Sequence, residues 1–210
     1  MTGSGTVAVV DYGLGNLRSV AGAIERLGRQ PVITSDPAEL ERAERLILPG
    51  VGAFGDGMQN LRERGLVEPL SRLVLEDHRP VLGICLGAQL MAGRSEEHGG
   101  HDGLGWIDAS VLRLEPDDPS LRVPHVGWNE LHQTADSVLF VGVPDRSLFY
   151  YVHSFHIAAH DTSLVRGICP YGGRLTAVFE RGNVFGTQFH PEKSQLHGLT
   201  LLGNFLAYEA

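Results

Sequence analysis

A cysteine with glycines on both sides constrains the fold of this chain more than any other feature. Residues 81–91 read Val-Leu-Gly-Ile-Cys-Leu-Gly-Ala-Gln-Leu-Met, an apolar strand that passes directly into a helix. Gly83 and Gly87 stand two residues before and after Cys85, which is the G-x-nucleophile-x-G spacing of a nucleophile elbow. The turn is so tight that larger side chains at these two positions would collide. A small buried cysteine is the competing interpretation, but the paired glycines favour a nucleophile whose thiolate is stabilised by a helix N-terminus.

The first half of the chain alternates predicted strands with predicted helices. Residues 6–10 are a continuous run of mostly β-branched side chains, typical of a parallel strand that is buried on both faces. Further strands are predicted at 31–34, at 45–48 and before Cys85, and helices at 17–27, from Pro37 and at 61–76 with a break near Gly65. This alternation predicts an α/β fold with a doubly wound, mostly parallel central sheet flanked by helices.

From about Trp106 the pattern changes to short strands separated by turn residues, which predicts an antiparallel extension of the sheet. A closing helix is expected from about Ser194 to Tyr208, with an apolar face that includes Leu196. The polar, glycine-rich stretch 94–103 is expected to be a mobile surface loop. The predicted short strands are 111–114, 137–140, 148–152, 164–168, 175–179 and 184–189.

Composition narrows the class of protein. The 210 residues suit a single α/β domain over 1–210. With 25 acidic and 17 basic residues the net charge is −8, which argues against binding nucleic acid or an anionic membrane. No apolar run approaches the roughly 20 residues that span a bilayer. Residues 1–5 lack the features of a signal peptide, so we expect a cytoplasmic protein in which Cys85 and Cys169 remain thiols.

A nucleophilic cysteine needs a general base, and His190 is the best placed of the ten histidines. It follows the last predicted strand and precedes Pro191, which favours an extended backbone. Residues two apart on extended backbone share a face, so Glu192 is expected beside the imidazole, where it would orient the ring. His153 and His156 are rival bases, but neither has a carboxylate two residues away.

Other motifs are weaker. Residues 49–57 form a glycine-rich loop after the third strand that is suited to present backbone N–H groups to an oxyanion, although a flexible connector is the alternative. The loop histidines His98 and His101 have no cysteine or rigid element nearby, so no metal site is predicted.

Several of these motifs together resemble one known family. The elbow around Cys85 and the sequence His190-Pro191-Glu192 are similar to those of the class I, or triad, glutamine amidotransferases. The segments 11–16 (Asp-Tyr-Gly-Leu-Gly-Asn), 49–52 (Pro-Gly-Val-Gly), 126–129 (Val-Gly-Trp-Asn) and 186–195 further resemble the glutaminase subunits of imidazole glycerol phosphate synthases, which act in histidine biosynthesis.

The resemblance implies specific roles. Cys85 would attack the side-chain amide of L-glutamine, His190 would protonate the departing ammonia, and Glu192 would hold His190. Backbone groups at Gly50, Val51, Gly52 and Leu86 would stabilise the oxyanion, while Gln89, Ser154 and Phe155 would contact glutamine.

No cofactor is implied, but a partner is. In the family, a (β/α)8 cyclase subunit binds the ribonucleotide acceptor and receives ammonia through a channel. Trp128, Asn129, Tyr150 and Lys193 are candidates for the face that docks it. The alternatives are the glutaminase of another synthase, such as anthranilate or aminodeoxychorismate synthase, and a non-catalytic binding partner with the same fold; the sequence Lys-Ser-Gln after Glu192 and the intact triad argue against them.

Overall fold

The chain forms two β-sheets in a computed structural model that describes residues 5–209. The expectation that residues 1–5 are not a signal peptide falls almost entirely outside the described residues. The helices are α1 (Leu17–Arg26), α2 (Pro37–Arg42), α3 (Phe54–Glu63), α4 (Val67–Ser71), α5 (Leu86–Leu90) and α6 (Gln195–Ala207). The strands are β1 (Thr6–Val10), β2 (Gln30–Thr34), β3 (Arg45–Gly50), β4 (Val81–Cys85), β5 (Arg94–Ser95), β6 (His101–Asp102), β7 (Ala109–Arg113), β8 (His125–Gln133), β9 (Ser147–His153), β10 (Phe155–Ala159), β11 (Val165–Pro170), β12 (Arg174–Arg181) and β13 (Val184–Thr187).

The large sheet has nine strands in the order β2-β1-β3-β4-β13-β12-β11-β8-β9. Its first five strands are parallel and its last four are added antiparallel, so both parts of the predicted architecture are confirmed. Residues of α1 and α6 pack on one face of the parallel part, and residues of α3, α4 and α5 pack on the other. The β4 strand lies in the middle of this doubly wound sheet, which places Cys85 at the carboxyl end of a central strand.

A second sheet of four strands, β10-β7-β5-β6, was not predicted. It contains the stretch 94–103, which lies largely at the surface as expected but is not a loop throughout: residues 94–95 and 101–102 pair as β5 and β6, and β5 also pairs with β7. Ser95 and Glu97 are buried within this stretch.

The predicted glycine-rich loop 49–57 is shorter than expected. Strand β3 continues through Gly50, and α3 already begins at Phe54, so Gly55 and Gly57 are helical. The carboxylate of Glu97 accepts a hydrogen bond of 2.7 Å from the backbone N–H of Phe54 and thereby satisfies one of the free donors of the first turn. A cap supplied from 43 residues away leaves no local sequence signal.

Two further expectations for single segments are wrong, and one strand was not predicted. Residues 138–140 form a 3-10 turn, because the Ser137 hydroxyl accepts the N–H of Leu139 and starts a turn instead of a strand. Strand β8 was missed because its glycine and polar residues hide the two-residue alternation. Leu196, expected on the packed face of α6, is 73% exposed in the first turn of that helix. Between residues 5 and 209 no helix has the length and apolar character needed to cross a membrane.

Candidate active site

The backbone of Cys85 has the geometry of a nucleophile elbow. Its φ of +53° and ψ of −110° lie outside the ordinary regions for a side chain of this kind, at a cost of about 1–3 kcal/mol. A Cβ atom on Gly83 would lie 2.6 Å from the Ala88 Cα, and one on Gly87 would lie 1.7 Å from the Leu48 carbonyl oxygen. The collisions that the glycines avoid are therefore with neighbouring backbone, and the strand turns directly into α5 with the thiol at its apex.

The imidazole of His190 is oriented by Glu192. His190 Nδ1 and Glu192 Oε1 are 2.9 Å apart, and the two side chains are 2% and 1% exposed. His190 has an extended backbone, as Pro191 predicts, but Glu192 lies in the 3-10 turn Pro191–Lys193. The two-residue spacing therefore brings the groups together through a turn. The expected contact is present, although the extended geometry expected for it is not.

The electrostatic surroundings of His190 favour its protonated form. Burial by itself lowers the pKa of this imidazole, but its interactions with Cys85 and Glu192 outweigh burial and raise the pKa to about 9. His190 Nε2 is buried and makes no conventional hydrogen bond to a residue within 5–209, so it is the ring nitrogen left to interact with the sulfur. The site can hold a protonated imidazole next to the Cys85 sulfur.

A buried pair of glutamines lies beside the sulfur. Gln188 Nε2 donates toward Cys85 Sγ at 3.8 Å, and Gln188 Oε1 accepts from Gln89 Nε2 at 3.1 Å. Gln89 Nε2 also donates to the Phe155 carbonyl at 2.9 Å. Gln188 was not singled out from the sequence, although it lies two residues before His190; no sequence signal distinguished it from a strand residue.

Most of the predicted site residues converge on one cleft of about 520 Å³. The lining residues that the sequence predicts are Cys85, Leu86, Gln89, Val51, Gly52, Ser154, Phe155, Tyr150 and Lys193. The structure adds Glu97, Pro124, Val152 and His153. Gly50 pairs with Cys85 in the register of β3 and β4. A Cβ atom on Gly50 would lie 2.2 Å from the Tyr12 hydroxyl and 2.9 Å from the Gly87 nitrogen, so only glycine fits there.

Glu97 is the functional candidate that sequence reasoning missed most clearly. It is the only acidic residue among those that line the cleft in the described chain, and it is 9% exposed. In the sequence it lies within a run of polar and glycine residues that has the composition of a solvated loop. The pairing of β5 with β6 and β7 places it in the wall of the cleft that Cys85 also lines.

The rival bases and the second cysteine have other partners. His153 uses both ring nitrogens, with Nδ1 2.8 Å from the Phe155 carbonyl and Nε2 3.1 Å from His125 Nδ1. His156 lines two clefts that do not include Cys85. Burial raises the pKa of Cys169 to about 12, partly offset by its interaction with Tyr151, which fits a packing role.

Three of the four predicted docking residues lie together beside the cleft, and the fourth does not. Trp128 is 46% exposed and meets the Tyr150 ring edge-on with centroids 6.0 Å apart. The Lys193 ammonium lies 5.8 Å from the centroid of the same Tyr150 ring. These three side chains form a continuous aromatic and basic rim beside the cleft. Asn129 instead turns inward and donates toward His125 Nε2 at 3.4 Å and the Pro170 carbonyl at 3.3 Å.

A second set of side chains has the hydrogen bonding of a catalytic triad. His160 Nδ1 is 2.8 Å from Asp108 Oδ1, and His160 Nε2 is 3.0 Å from the Ser110 hydroxyl oxygen. Ser110 is 3% exposed and is the second residue of β7, paired with β10 on one side and β5 on the other. Its oxygen is also 3.4 Å from Arg94 Nε. The residues from 5 to 209 contain no group of three or more histidine, cysteine or acidic residues arranged to hold a metal ion.

Comparison with known proteins identifies relatives over nearly the whole chain. The family described as "Glutamine amidotransferase class-I" matches residues 8–208. Imidazole glycerol phosphate synthase subunit HisH 2 of Nitrobacter winogradskyi is 46% identical over 207 residues, covering 96% of this chain and 98% of the relative. The corresponding subunit HisH of Zymomonas mobilis is 46% identical over 207 residues, covering 97% of this chain and 96% of the relative.

Solved structures with lower identity share the fold. PurLQS from Thermotoga maritima superposes with a TM-score of 0.76 at 22% identity and covers 98% of this chain and 99% of that one. A glutamine amidotransferase from the same organism has a TM-score of 0.68 at 16% identity, with 97% of each chain covered. The predicted α/β architecture is thus also that of known structures.

Proposed function

The chain belongs to the class-I glutamine amidotransferases, and on that premise we propose that it is the glutaminase subunit of an imidazole glycerol phosphate synthase. The observation that carries this proposal is identity of about 46%, over nearly the full length of both chains, to subunits of that synthase. The strained, glycine-flanked Cys85 and the buried His190–Glu192 pair supply the chemistry that glutamine hydrolysis requires.

In the proposed reaction Cys85 is the nucleophile. Its sulfur attacks the side-chain carbonyl carbon of L-glutamine, and a tetrahedral oxyanion forms. His190 then gives its proton to the departing nitrogen, which leaves as ammonia, and the γ-glutamyl group remains on sulfur as a thioester. Water, deprotonated by the now neutral His190, hydrolyses the thioester to glutamate. Glu192 keeps the Nδ1 proton of His190 in place, so that Nε2 exchanges protons at the reacting end.

The proposed oxyanion site lies where β3 ends next to the elbow. The backbone N–H of Leu86 follows the nucleophile, and Val51 and Gly52 line the same cleft. Each donor that meets an oxyanion contributes about 3–4 kcal/mol in well-studied acyl-transfer enzymes. Gly50 brings the start of this segment against the elbow because its missing side chain allows the close approach of Tyr12 and Gly87.

The part of the cleft proposed to bind the amino-acid end of glutamine contains a negatively charged side chain, which suits the positive α-ammonium group. Glu97 is the acidic residue of the cleft wall, so we assign it to the α-ammonium group of glutamine. Gln89 and the segment of Ser154 and Phe155 form the facing wall. The cleft volume of about 520 Å³ lies within the usual range for small-molecule sites, about 300–1,000 Å³.

The partner we propose is a (β/α)8 cyclase subunit that uses the ammonia to make imidazole glycerol phosphate and aminoimidazole carboxamide ribotide. Val126 and Trp128 lie two residues apart on the same face of β8 and are 56% and 46% exposed. Exposed large apolar side chains side by side at the rim of a cleft favour a contact surface for another protein. Val126 pairs with Val152 and Trp128 with Tyr150, both of which line the cleft. A subunit docked on this face would receive ammonia without its release to water.

Glutaminase subunits of other synthases share the fold, but the near-full-length relatives cited above favour the imidazole glycerol phosphate synthase. We also propose a cytoplasmic location, because a reducing compartment keeps the Cys85 thiol available.

The proposed function is tested by joining the chain to candidate cyclase subunits. We expect the chain to co-purify with a cyclase that binds the ribonucleotide, and glutamate production to rise strongly when that acceptor is added. A glutamine analogue carrying an electrophile at its side-chain carbon should add one label to Cys85 and none to Cys169, measured by mass spectrometry of the peptides. Labelling of neither cysteine, together with glutamate formation by a Cys85→Ala chain at the parent rate, would contradict the proposal.

A further inference from the structure

A directed row of hydrogen bonds links β8 to the wall of the glutamine cleft. It begins at Asn129, passes through His125 and His153, and ends at the carbonyl of Phe155. The successive donor–acceptor distances are 3.4, 3.1 and 2.8 Å. His125 and His153 are 3% and 6% exposed, and they face each other across the register of β8 and β9.

The tautomer of each histidine in this row is dictated by its neighbours. The Phe155 carbonyl only accepts, so His153 must carry its proton on Nδ1 and present Nε2 as an acceptor. His125 must therefore donate from Nδ1 to that Nε2, which leaves His125 Nε2 to accept from the Asn129 amide. Every donor points toward Phe155. A proton added to either ring would place two donors against each other.

The surroundings of the two rings fit neutral, immobile histidines. Burial lowers the pKa of His125 to about 4, and burial opposed by the Phe155 bond lowers that of His153 to about 3. The His125 ring is stacked between Tyr171, with centroids 3.8 Å apart, and Tyr151, with centroids 4.9 Å apart.

The carbonyl held by this row determines which atom Gln89 presents to the cleft. Gln89 Nε2 donates one hydrogen to the Phe155 carbonyl and the other to Gln188 Oε1. Both of its hydrogens are used, so Gln89 Oε1 faces the cleft as an acceptor. If the Phe155 carbonyl turned away, the Gln89 amide would lose the bond that prevents it from rotating and presenting N–H groups in place of oxygen.

We propose that His125 and His153 are positioning residues, which fix the Phe155 carbonyl and thereby hold Gln89 as a hydrogen-bond acceptor for the substrate. The inference rests on the proposed function, since it names a determinant of glutamine binding at that site. It assigns roles to two histidines that touch none of the reacting atoms.

The kinetic test uses the complex with the cyclase and compares substitutions at His153. Replacement of His153 by Leu removes the donor to Phe155, and we expect KM for glutamine to rise about fivefold to tenfold, with kcat changed less than threefold. His153→Asn retains a donor near the position of Nδ1 and should recover part of the loss. His156→Leu is the matched control on the next strand, β10, because His156 lines two clefts that do not include Cys85.

A second measurement does not depend on activity. In the wild-type chain with ¹⁵N-labelled histidine at pH 7, we expect His125 and His153 to give the shifts of neutral rings protonated on Nδ1, assigned by loss of each signal in His125→Leu and His153→Asn. Rings protonated on Nε2, or an unchanged KM in folded His153→Leu, would overturn the inference. A complex that hydrolyses no glutamine but shows the Nδ1 tautomers would count against the proposed function while supporting the hydrogen-bonded row.

Discussion

Two histidine–carboxylate pairs in this molecule have almost the same hydrogen bond in opposite surroundings. His190 and Glu192 are 2.9 Å apart with side chains 2% and 1% exposed. His160 and Asp108 are 2.8 Å apart with side chains 53% and 73% exposed. Each histidine has a possible nucleophile on its other side, Cys85 in one case and Ser110 in the other.

The difference lies in where the nucleophile stands. Cys85 lies at the carboxyl end of a central parallel strand, at an elbow that opens onto a cleft. Ser110 lies within a strand and is paired on both sides, so its hydroxyl is enclosed by protein. Hydrogen-bond length alone therefore does not identify a catalytic group. Burial of the base and access to the nucleophile separate the two sets.

The strongest test of this distinction replaces the two histidines in parallel. His190→Asn keeps a side chain that can reach Glu192 but removes the proton donor to ammonia, and we expect glutamate formation by the complex to fall about 10³-fold or more. His160→Asn should stay within twofold of the parent. Equal losses from the two substitutions would mean that the exposed set takes part in catalysis.

The second largest difference is expected between substitutions of the two carboxylates, Glu192 and Asp108. Glu192→Gln removes the charge that stabilises the His190 imidazolium and leaves the ring less well oriented, so we expect kcat to fall about 10- to 10³-fold. Asp108→Asn serves as the matched change at the exposed pair and should leave kcat within twofold. The rates are measured at saturating glutamine, with the unfolding midpoint of each variant recorded. If Glu192→Gln kept full activity, orientation of His190 by Glu192 would not be required.

The pH profile gives a smaller but more specific effect. Because the pKa of His190 is raised to about 9, its proton is available at neutral pH and is lost as pH rises through about 9. The alkaline limb of kcat/KM should therefore lie near pH 9. Glu192→Gln should move this limb to lower pH, since one of the interactions that raises the pKa is gone, while Asp108→Asn should leave it in place. An alkaline limb that did not move in Glu192→Gln would contradict the assignment of the acid.

The free energy of unfolding should also depend on the protonation of His190 and decrease as pH rises toward 9. The folded pKa of His190 exceeds its ordinary value of 6.5, so the protonated ring contributes to stability fully below pH 6.5, and this contribution disappears as pH rises through about 9. Denaturant titrations at intervals between pH 6 and 9.5 should show that His190→Asn flattens this part of the profile. A profile as steep as that of the parent would place the linked proton on another group.

The smallest effect is expected at the exposed pair itself. Asp108 and His160 are largely solvated, so removal of their interaction by Asp108→Asn should change the free energy of unfolding by less than about 1 kcal/mol. Urea unfolding at neutral pH measures it. A larger loss would show that Asp108 has a structural role that the exposed surface does not suggest.

Local sequence signals predicted much of the fold. The strands β1 to β4, the helix α1, and α2 with its Asp36 cap follow from apolar runs, caps and breakers within a few residues of each element. Errors occurred where a distant residue decides the local structure, as where Glu97 starts α3 at Phe54 inside the expected glycine loop. A strand was predicted at 111–114, where β7 lies, but its sheet with β5, β6 and β10 was missed, because the two-residue strands β5 and β6 form only through their partners.

The residues of the candidate site likewise fall into those that local sequence predicts and those that only distant contacts reveal. The spacing around Cys85 and the sequence His-Pro-Glu predict groups whose chemistry depends on near neighbours in the chain, so the sequence alone points to them. Glu97, Gln188 and His125 were missed as functional groups, and His153 was considered only as a rival base. Each has a contact that joins distant segments of the chain: Glu97 with Phe54, Gln188 with Cys85, and His125 with His153. Among polar residues of ordinary composition, such contacts leave no pattern to read.

Residue order alone was enough to predict the elbow and the parallel half of the sheet, and to select Cys85, His190 and Glu192 as the proposed nucleophile, base and orienting carboxylate. These follow from short-range sterics and from the two-residue and 3.6-residue periods of strands and helices. Folding decided which of two similar histidine–carboxylate pairs is enclosed, and which polar side chains face the sulfur. Burial and hydrogen-bond partners depend on segments that meet only after the sheets have assembled, and a linear chain does not record which segments these are.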